Sequence, residues 1–364
     1  MDDDLQRAYE LVYRFGWNTT CFQILNPGMR RWFGEDGGSM VGYVRADGFR
    51  VVAGAPVVHE SNLKQTIAEW ESSDGGSPVC YFCAESRLES ALHEAPGYSK
   101  VVVGAQPCWT AESWLQRARE TASLRAQFSR AMSKGVRVSE WPLGRVKQSA
   151  DLRNVLDHWL QTRGLPPMHF LIEPQIFERP DGRRIFVAER EGVPIGFVSL
   201  APIPAREGWL TEMFVRGKNA PNGTVELTLR EAISAIAADG SKFVSMGMVP
   251  LSKQARIAMS VNPAWLRSLA AWARAHMRRF YNFDGLDFFK SKFIPDVWEP
   301  VYAISTESRF SLRALLAVVR AFTGVHPAAA FASGILKAAR QEMVWLVHRG
   351  SRRQGGSSRP IFPR

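Results

Sequence analysis

The stretch from Trp209 to Ala238, with Phe243 to Val249 after it, constrains the fold more than any other part of the chain. WLTEMFV reads as a strand, and Gly217 to Gly223 as a loop. Thr224 to Ala238 reads as a helix whose Val225, Leu229, Ala232, Ile233 and Ile236 share one face. FVSMGMV reads as a second, buried strand. Strand, loop, helix and strand in this order require a parallel pair joined by a right-handed crossover, with the ligand end at the loop. A helix start presents unpaired N–H groups and a positive dipole end, so an anion or a developing oxyanion is stabilised there. Gly223 or Asn222 is expected to cap the helix, and Glu226 in its first turn suits the dipole.

The rest of the chain alternates strands and helices. The first half reads as a helix from Asp4 to Phe15, a hairpin MVGYVRADGFRVVAGAPVV turning at Asp47-Gly48, and a helix from Asn62 to Glu71. Strands at Val79–Ala84 and Lys100–Val103 follow, then a helix from Ala111 to Ser133. The second half restarts with a helix at Leu152–Arg163 and a hairpin RRIFVAEREGVPIGFVSLAPIP turning at Glu191-Gly192. Superposing the two hairpins on Ala55-Pro56 and Ala201-Pro202 suggests an internal duplication offset by 146 residues. The fold class is α/β (α+β), and 364 residues with 46% apolar content can fill two cores.

Charge narrows the partners. Lys plus Arg number 46 against 35 acids, a net +11, which favours polyanions such as nucleic acid or an anionic membrane surface. From Val301 to Arg364 there are ten Lys/Arg against two acids. Leu312–Val319 and Ala328–Val347 carry apolar faces broken by Arg313, Arg320, Lys337 and Arg340, so this tail is expected to lie in the headgroup region of a membrane. The alternative is a C-terminal hairpin packed on the domain. No stretch is apolar enough to span a bilayer. The Met1-Asp2-Asp3-Asp4 start is acidic where a secretory leader would be basic, so a cytoplasmic location is expected.

Other features carry less. Cys80 and Cys83 have CxxC spacing inside a strand-like run without a second pair, which fits core cysteine better than a metal or redox site. No histidine, His158 and His169 included, has a partner at catalytic spacing. At helical spacing Trp265, Leu269 and Trp272 share one face, and Arg267, Arg274 and Arg278 the other. That pattern fits a helix packed by its tryptophans with a solvated charged side; the alternative is an arginine face that meets phosphates.

Several motifs in series carry a family resemblance. They are Gly196–Pro202 (GFVSLAP), Trp209 with Glu212 and Arg216, APNGT from Ala220 to Thr224, MGMVPL from Met246 to Leu251, FKSKF from Phe289 to Phe293, and WEP from Trp298 to Pro300 before Tyr302. A fainter match is SLRAQFSRAMSKGVRV, Ser123 to Val138. Over about residues 10 to 305 the sequence resembles the C-terminal catalytic domain of the phosphatidylglycerol lysyltransferases, the multiple peptide resistance factor family. The resemblance implies two tandem GNAT (acetyltransferase-like) folds and transfer of an aminoacyl group from aminoacyl-tRNA to a hydroxyl of phosphatidylglycerol or a related lipid. The expected division is residues 1–138, 139–305 and a basic helical tail at 306–364. Two departures stand out: the family's aspartate with an arginine three residues on is here Glu212 with Val215, followed by Arg216, and the family's membrane-embedded half has no counterpart in this sequence.

An aminoacyl ester is already activated, so its transfer needs no metal, nucleotide or covalent enzyme intermediate, and no cofactor is expected beyond aminoacyl-tRNA as co-substrate. It needs a positioning group for the hydroxyl, donors for the oxyanion and a cationic seat for phosphate. Glu212 is the candidate for orienting the hydroxyl or binding the α-ammonium, and Arg216 for holding a phosphate. Asn222, Gly223 and Thr224 supply the loop and helix start. Lys290 and Lys292, on one face if FFKSKF is a strand, supply further cations, and Tyr302 is a lesser candidate for substrate binding. Partners implied are aminoacyl-tRNA and the inner face of an anionic phospholipid membrane, to which the protein would be peripheral; the oligomeric state is open. The rivals are a coenzyme A-dependent N-acyltransferase, disfavoured because Pro221 removes a donor from the pyrophosphate loop, a peptidoglycan-bridge (Fem-like) aminoacyltransferase, and a non-enzymatic basic adaptor for tRNA or membrane.

Overall fold

The computed structural model describes residues 3–162, 170–276 and 282–323. The first half contributes helix α1 (Asp3–Phe15), strands β1 (Arg30–Phe33), β2 (Met40–Ala46) and β3 (Phe49–Ala53), helix α2 (Leu63–Ser72), strand β4 (Val79–Ala84), helix α3 (Ser86–Leu92) and strand β5 (Ser99–Thr110). Helices α4 (Ala111–Glu120) and α5 (Ala122–Ser133) lead to strand β6 (Val136–Glu140) and helices α6 (Leu143–Gln148) and α7 (Ala150–Gln161). The second half contributes strands β7 (Arg184–Arg190), β8 (Val193–Ile203) and β9 (Gly208–Arg216), helix α8 (Thr224–Ala238), and strands β10 (Phe243–Ser245) and β11 (Val249–Pro250). Helices α9 (Arg256–Met259), α10 (Ala264–His276) and α11 (Phe283–Ser291), strand β12 (Val297–Ser305) and helix α12 (Leu312–Thr323) complete it.

All the strands join one mixed sheet, ordered β1-β2-β3-β4-β12-β5-β10-β9-β8-β7-β6, with β11 paired to β5. Apart from β6, the order repeats from either edge. β1, β2 and β3 form an antiparallel run and β3 pairs parallel with β4 across α2; β7, β8 and β9 do the same, and β9 pairs parallel with β10 across α8. The crossover expected downstream of Trp209 is present, and α8 has the bounds read from the sequence.

Crossover helices fix the repeat, so β2–β3 corresponds to β8–β9. The 146-residue offset had aligned β2–β3 with β7–β8, one hairpin too early. Acid-Gly turns misled it: Asp47-Gly48 and Glu191-Gly192 all have positive φ because any tight two-residue hairpin needs that geometry.

The two halves exchange their last strands. β12, from the second half, pairs with β4, while β5, from the first, pairs with β10; β12 and β5 pair with each other at the centre. The boundary expected at 138/139 runs through β6 and separates no sheet. Helices α4 and α5, N-terminal to it, pack on α8 through Trp114, Leu124 and Phe128 in the core beneath β8–β10. The helix expected over Ala111–Ser133 breaks at Thr121.

Of the tail 306–364, the described part is 306–323, and its helix α12 buries Ala314, Ala317 and Val318 against the first half's core. Phe322 meets Phe82 and Phe170 edge-on, and Arg320 pairs with Asp47. For this helix the packed alternative is the one realised; Ala328–Val347 lies outside the described residues. No helix among the described residues is long and apolar enough to cross a membrane. All four cysteines are buried; burial pushes the Cys80 thiol up to about 12.

Candidate functional site

Strand β9 carries Glu212, and a bulge decides where it points. Leu200 pairs with Thr211 and Ser199 with Met213, which leaves Glu212 as an extra residue on β9. Strict alternation would put Glu212, Phe214 and Arg216 on one face. Instead, Glu212 takes a two-pronged grip from Arg183, with Nε to Oε2 at 2.6 Å and Nη2 to Oε1 at 2.8 Å, and a third bond from Gln23 Nε2 at 3.0 Å. Burial alone would raise the Glu212 carboxyl, but the Arg183 charge and these hydrogen bonds outweigh it and hold the carboxyl below its ordinary range.

Arg183 also donates to Asn26 Oδ1 at 3.2 Å and to the Arg179 carbonyl at 3.1 Å. Its guanidinium lies over the Phe22 ring. With Tyr9, Asn26, Glu173 and Arg179 it lines a cavity of about 350 Å³ between the N-terminal segment and residues 173–183. Sequence reading missed Arg183, Gln23 and Asn26, because no motif spacing ties residues so far apart in the chain to Glu212.

Arg216 is exposed at the end of β9 and closes the loop after it. Its Nη2 donates to the Ala220 carbonyl and to Asn222 Oδ1, both at 2.9 Å. Arg216 and Asn222 therefore meet each other, while Glu212 has other partners. Gly223 is the N-cap of α8 with φ of +93°, and a Cβ there would fall 2.1 Å from the Gln127 carbonyl of α5. The helix start is packed rather than open: the Thr224 N–H and hydroxyl both donate to the Pro221 carbonyl, and Thr224, Val225 and Glu226 are buried. This close fit of α5 to the loop brings the fainter motif, Ser123–Val138, against APNGT.

FFKSKF is helical, not a strand: Lys290 lies in the last turn of α11 and Lys292 caps it, so they do not share a strand face. Lys290 is buried and donates to the carbonyls of Met246, Gly247 (2.8 Å) and Met248 (3.4 Å), holding the strand break between β10 and β11. Burial pulls its ammonium down to about 7, with Asp287 opposing. Lys292 pairs with Glu226 in the first turn of α8 and lies 4.1 Å from the Phe289 ring centroid; Phe289 stacks on Phe214 of β9. Lys292 thus joins α11 to the helix start that Asn222, Gly223 and Thr224 build. Tyr302 stands apart on β12, packed beside Ala255 and Met259.

A second polar cluster went unseen in the sequence. At the seam between the halves, Arg206 reaches Glu299 Oε1 of β12 at 2.9 Å and Glu85 Oε2, just past β4, at 3.4 Å, with its guanidinium over the Phe243 ring. Gln106 Nε2 donates to Glu299 at 3.0 Å, which orients its amide oxygen toward Thr19 Oγ1, also at 3.0 Å. Thr19 Oγ1 is in turn 2.6 Å from Glu85 Oε1. The Thr19 backbone N–H donates to the same Glu85 oxygen at 2.6 Å. Burial pushes the Glu85 carboxyl up to about 7, against the bonds from Thr19 and the Arg206 charge. Glu299 moves down: burial opposes this, but Arg206 outweighs it. Two acids around one guanidinium separate in this way. Glu299 was legible only as part of the WEP motif.

Residues 10–305 match the family described as phosphatidylglycerol lysyltransferase, C-terminal. The chain belongs to this family. A curated relative, the phosphatidylglycerol lysyltransferase of Bacillus subtilis, is 23% identical over 286 residues; the match covers 77% of this chain and 32% of the relative, so the chain spans about a third of that protein's length. Among solved structures, the C-terminal DUF2156 domain of an Agrobacterium fabrum protein named as a lysylphosphatidylglycerol synthetase superposes with a TM-score of 0.73 at 20% identity, covering 88% of this chain and 97% of that one. L-PGS from Bacillus licheniformis gives 0.71 at 19%, covering 87% and 95%. FemX gives 0.53 at 9%, covering 82% and 95%. These structural likenesses establish a shared fold.

Proposed function

We propose that this protein is a transferase that moves an amino acid from aminoacyl-tRNA to a hydroxyl of phosphatidylglycerol or a related lipid, working from the cytoplasmic face of a membrane. The observation that carries the reading is the family match across residues 10–305. The mirrored strand order supports taking each half as one acetyltransferase-like unit. In the reaction the lipid hydroxyl oxygen attacks the ester carbonyl carbon, a new ester bond forms, and the ribose oxygen of the tRNA leaves with the proton that the lipid hydroxyl gives up.

The cavity beside Arg183 is the seat we assign to the aminoacyl end. Glu212 acts through Arg183, fixing the guanidinium that lines the wall. Arg216 and Asn222 at the loop mouth are the seat for a phosphate, and Lys292, paired with Glu226 in the first turn of α8, adds positive charge at the helix start. Gly223 and Thr224 shape that loop, Lys290 holds the β10–β11 break, and Tyr302 is kept outside the site. Pro221 and the packed start of α8 argue against a pyrophosphate cradle, so a coenzyme A reading is not adopted.

The test is incubation of the protein with charged total tRNA and bacterial lipids, followed by mass spectrometry of the lipids. A lipid heavier by one aminoacyl residue, dependent on charged tRNA, is expected. Absence of such a product, with acetyl-coenzyme A raising the thermal midpoint instead, would reverse the assignment.

A further inference from the structure

Helix α10 was expected to pack by its tryptophans, and it does the reverse. It buries Leu266 and Ala270, while Trp265 is 38% and Trp272 51% exposed. Leu269 lies outward with them. Two more apolar residues are exposed just before it, Ile257 of α9 at 89% and Val261 in the turn between the helices at 80%. Ile257, Val261, Trp265, Leu269 and Trp272 are spaced by three or four residues, and no acid occurs between Lys253 and His276.

Nothing about this exposure comes from a loose segment. The Asn262 side chain is buried and both accepts from the Val102 N–H and donates to the Val102 carbonyl, each at 2.8 Å, as a neighbouring strand would. Ala255, Ala258 and Met259 pack against Val102, Ala105, Trp298 and Tyr302. Arg274 anchors the far end of α10 to the Leu251 carbonyl and to Asp284. The inner face of α9–α10 is thus fixed to the sheet, and large apolar groups are held outward on a rigid support. Such a patch marks an interaction surface.

We propose that the α9–α10 face docks on an anionic lipid bilayer, with Ile257, Val261, Trp265, Leu269 and Trp272 entering the boundary between headgroups and acyl chains. Arg256 is exposed next to Ile257, and with no acid between Lys253 and His276 this stretch offers anionic headgroups a basic border. Tryptophan favours this boundary because its ring is apolar and its N–H polar. A second copy of the chain is a poor occupant, since residues 253–276 carry four Lys/Arg and no acid, and two such stretches repel each other. RNA would stack on the tryptophans but offers no apolar phase to Ile257 and Val261. The inference is independent of the acyl-transfer reading, and its test uses no activity.

The full chain is sedimented with vesicles of phosphatidylcholine alone, and with vesicles in which half the lipid is phosphatidylglycerol. The wild type is expected to partition onto the phosphatidylglycerol vesicles, and a variant carrying Ile257→Ser, Val261→Ser and Trp272→Ser to bind them at least tenfold more weakly with an unchanged thermal midpoint. Lys253→Gln with Arg256→Gln should remove most of the preference for phosphatidylglycerol. A polarity-sensitive dye on Val261→Cys, the native cysteines being buried, should shift to the blue on vesicle addition. Equal binding by the wild type and the triple variant, an unresponsive dye, or a wild-type dimer that the triple variant turns into monomer would each overturn the proposal.

Discussion

Glu85 and Glu212 are both buried acids, and their partners push them in opposite directions. Glu212 faces a full guanidinium of its own in Arg183, so it is ionised, and Glu212→Gln leaves that charge buried without a counter-ion. A loss of about 3 kcal/mol in urea denaturation is expected, with most of it recovered when Arg183→Met is added. If the double variant is stable yet makes no aminoacyl lipid, the pair serves the reaction and not only the fold. Glu85 shares Arg206 with Glu299 and holds a proton up to about pH 7. Its folded pKa is raised above the ordinary 4.5, so between those values the native state binds more protons than the unfolded chain. Stability from this group is therefore full at low pH and falls as pH rises through the window, by about 3 kcal/mol in all. Urea midpoints at pH 5, 6, 7 and 8 should show this decline in the wild type and a flatter profile in Glu85→Gln; parallel profiles would mean that Glu85 is ionised throughout.

At the scale of elements, what the sequence disclosed was what local pattern encodes. The strand–loop–helix at Trp209–Ala238 was legible because a 3.6-residue apolar period follows a two-residue one with glycine between, and both hairpins were legible from their acid-Gly turns. FFKSKF was not, because α11 inverts the usual pattern: it buries Asp287 and Lys290 and exposes Phe288. Burial of Lys290 is tolerated only because three carbonyls at the β10–β11 break receive its ammonium, a tertiary fact with no local signature. The bulge at Glu212 is equally invisible, and it alone separates Glu212 from Arg216. Gly223 lies between these cases, for its place before a helix was readable and the Gln127 carbonyl against it was not. Gly223→Ala must meet that carbonyl in a left-handed backbone conformation, and a loss of about 2 kcal/mol or more in thermal or urea unfolding is expected. A cost below about 0.5 kcal/mol, the range of an ordinary surface change, would mean that α5 and the loop move apart freely.

For the whole molecule, the exchange of β5 and β12 decides whether the halves are separable. Within residues 1–138, β5 has no strand partner, because β10, β11 and β12 all lie later in the chain. Within 139–305, β12 is equally bare, since its partners β4 and β5 lie earlier. Each half alone would present an unpaired central strand and the apolar faces that α4, α5 and α8 share, a state that aggregates or stays unfolded. Produced as two chains cut between residues 138 and 139, the pieces are expected to show no cooperative thermal transition separately. Mixed during refolding, they should regain one transition, because the pairing of β12 between β4 and β5 needs no continuous chain. A cooperative transition in the isolated 1–138 piece would show that β5 finds another partner, and the two halves would then be independent domains merely laid side by side. The seam cluster of Glu85, Arg206 and Glu299 draws on both pieces, so its proton should be lost on separation and regained on mixing. Following the pH dependence of the mixed and separate pieces would therefore report whether the two halves assemble through that seam.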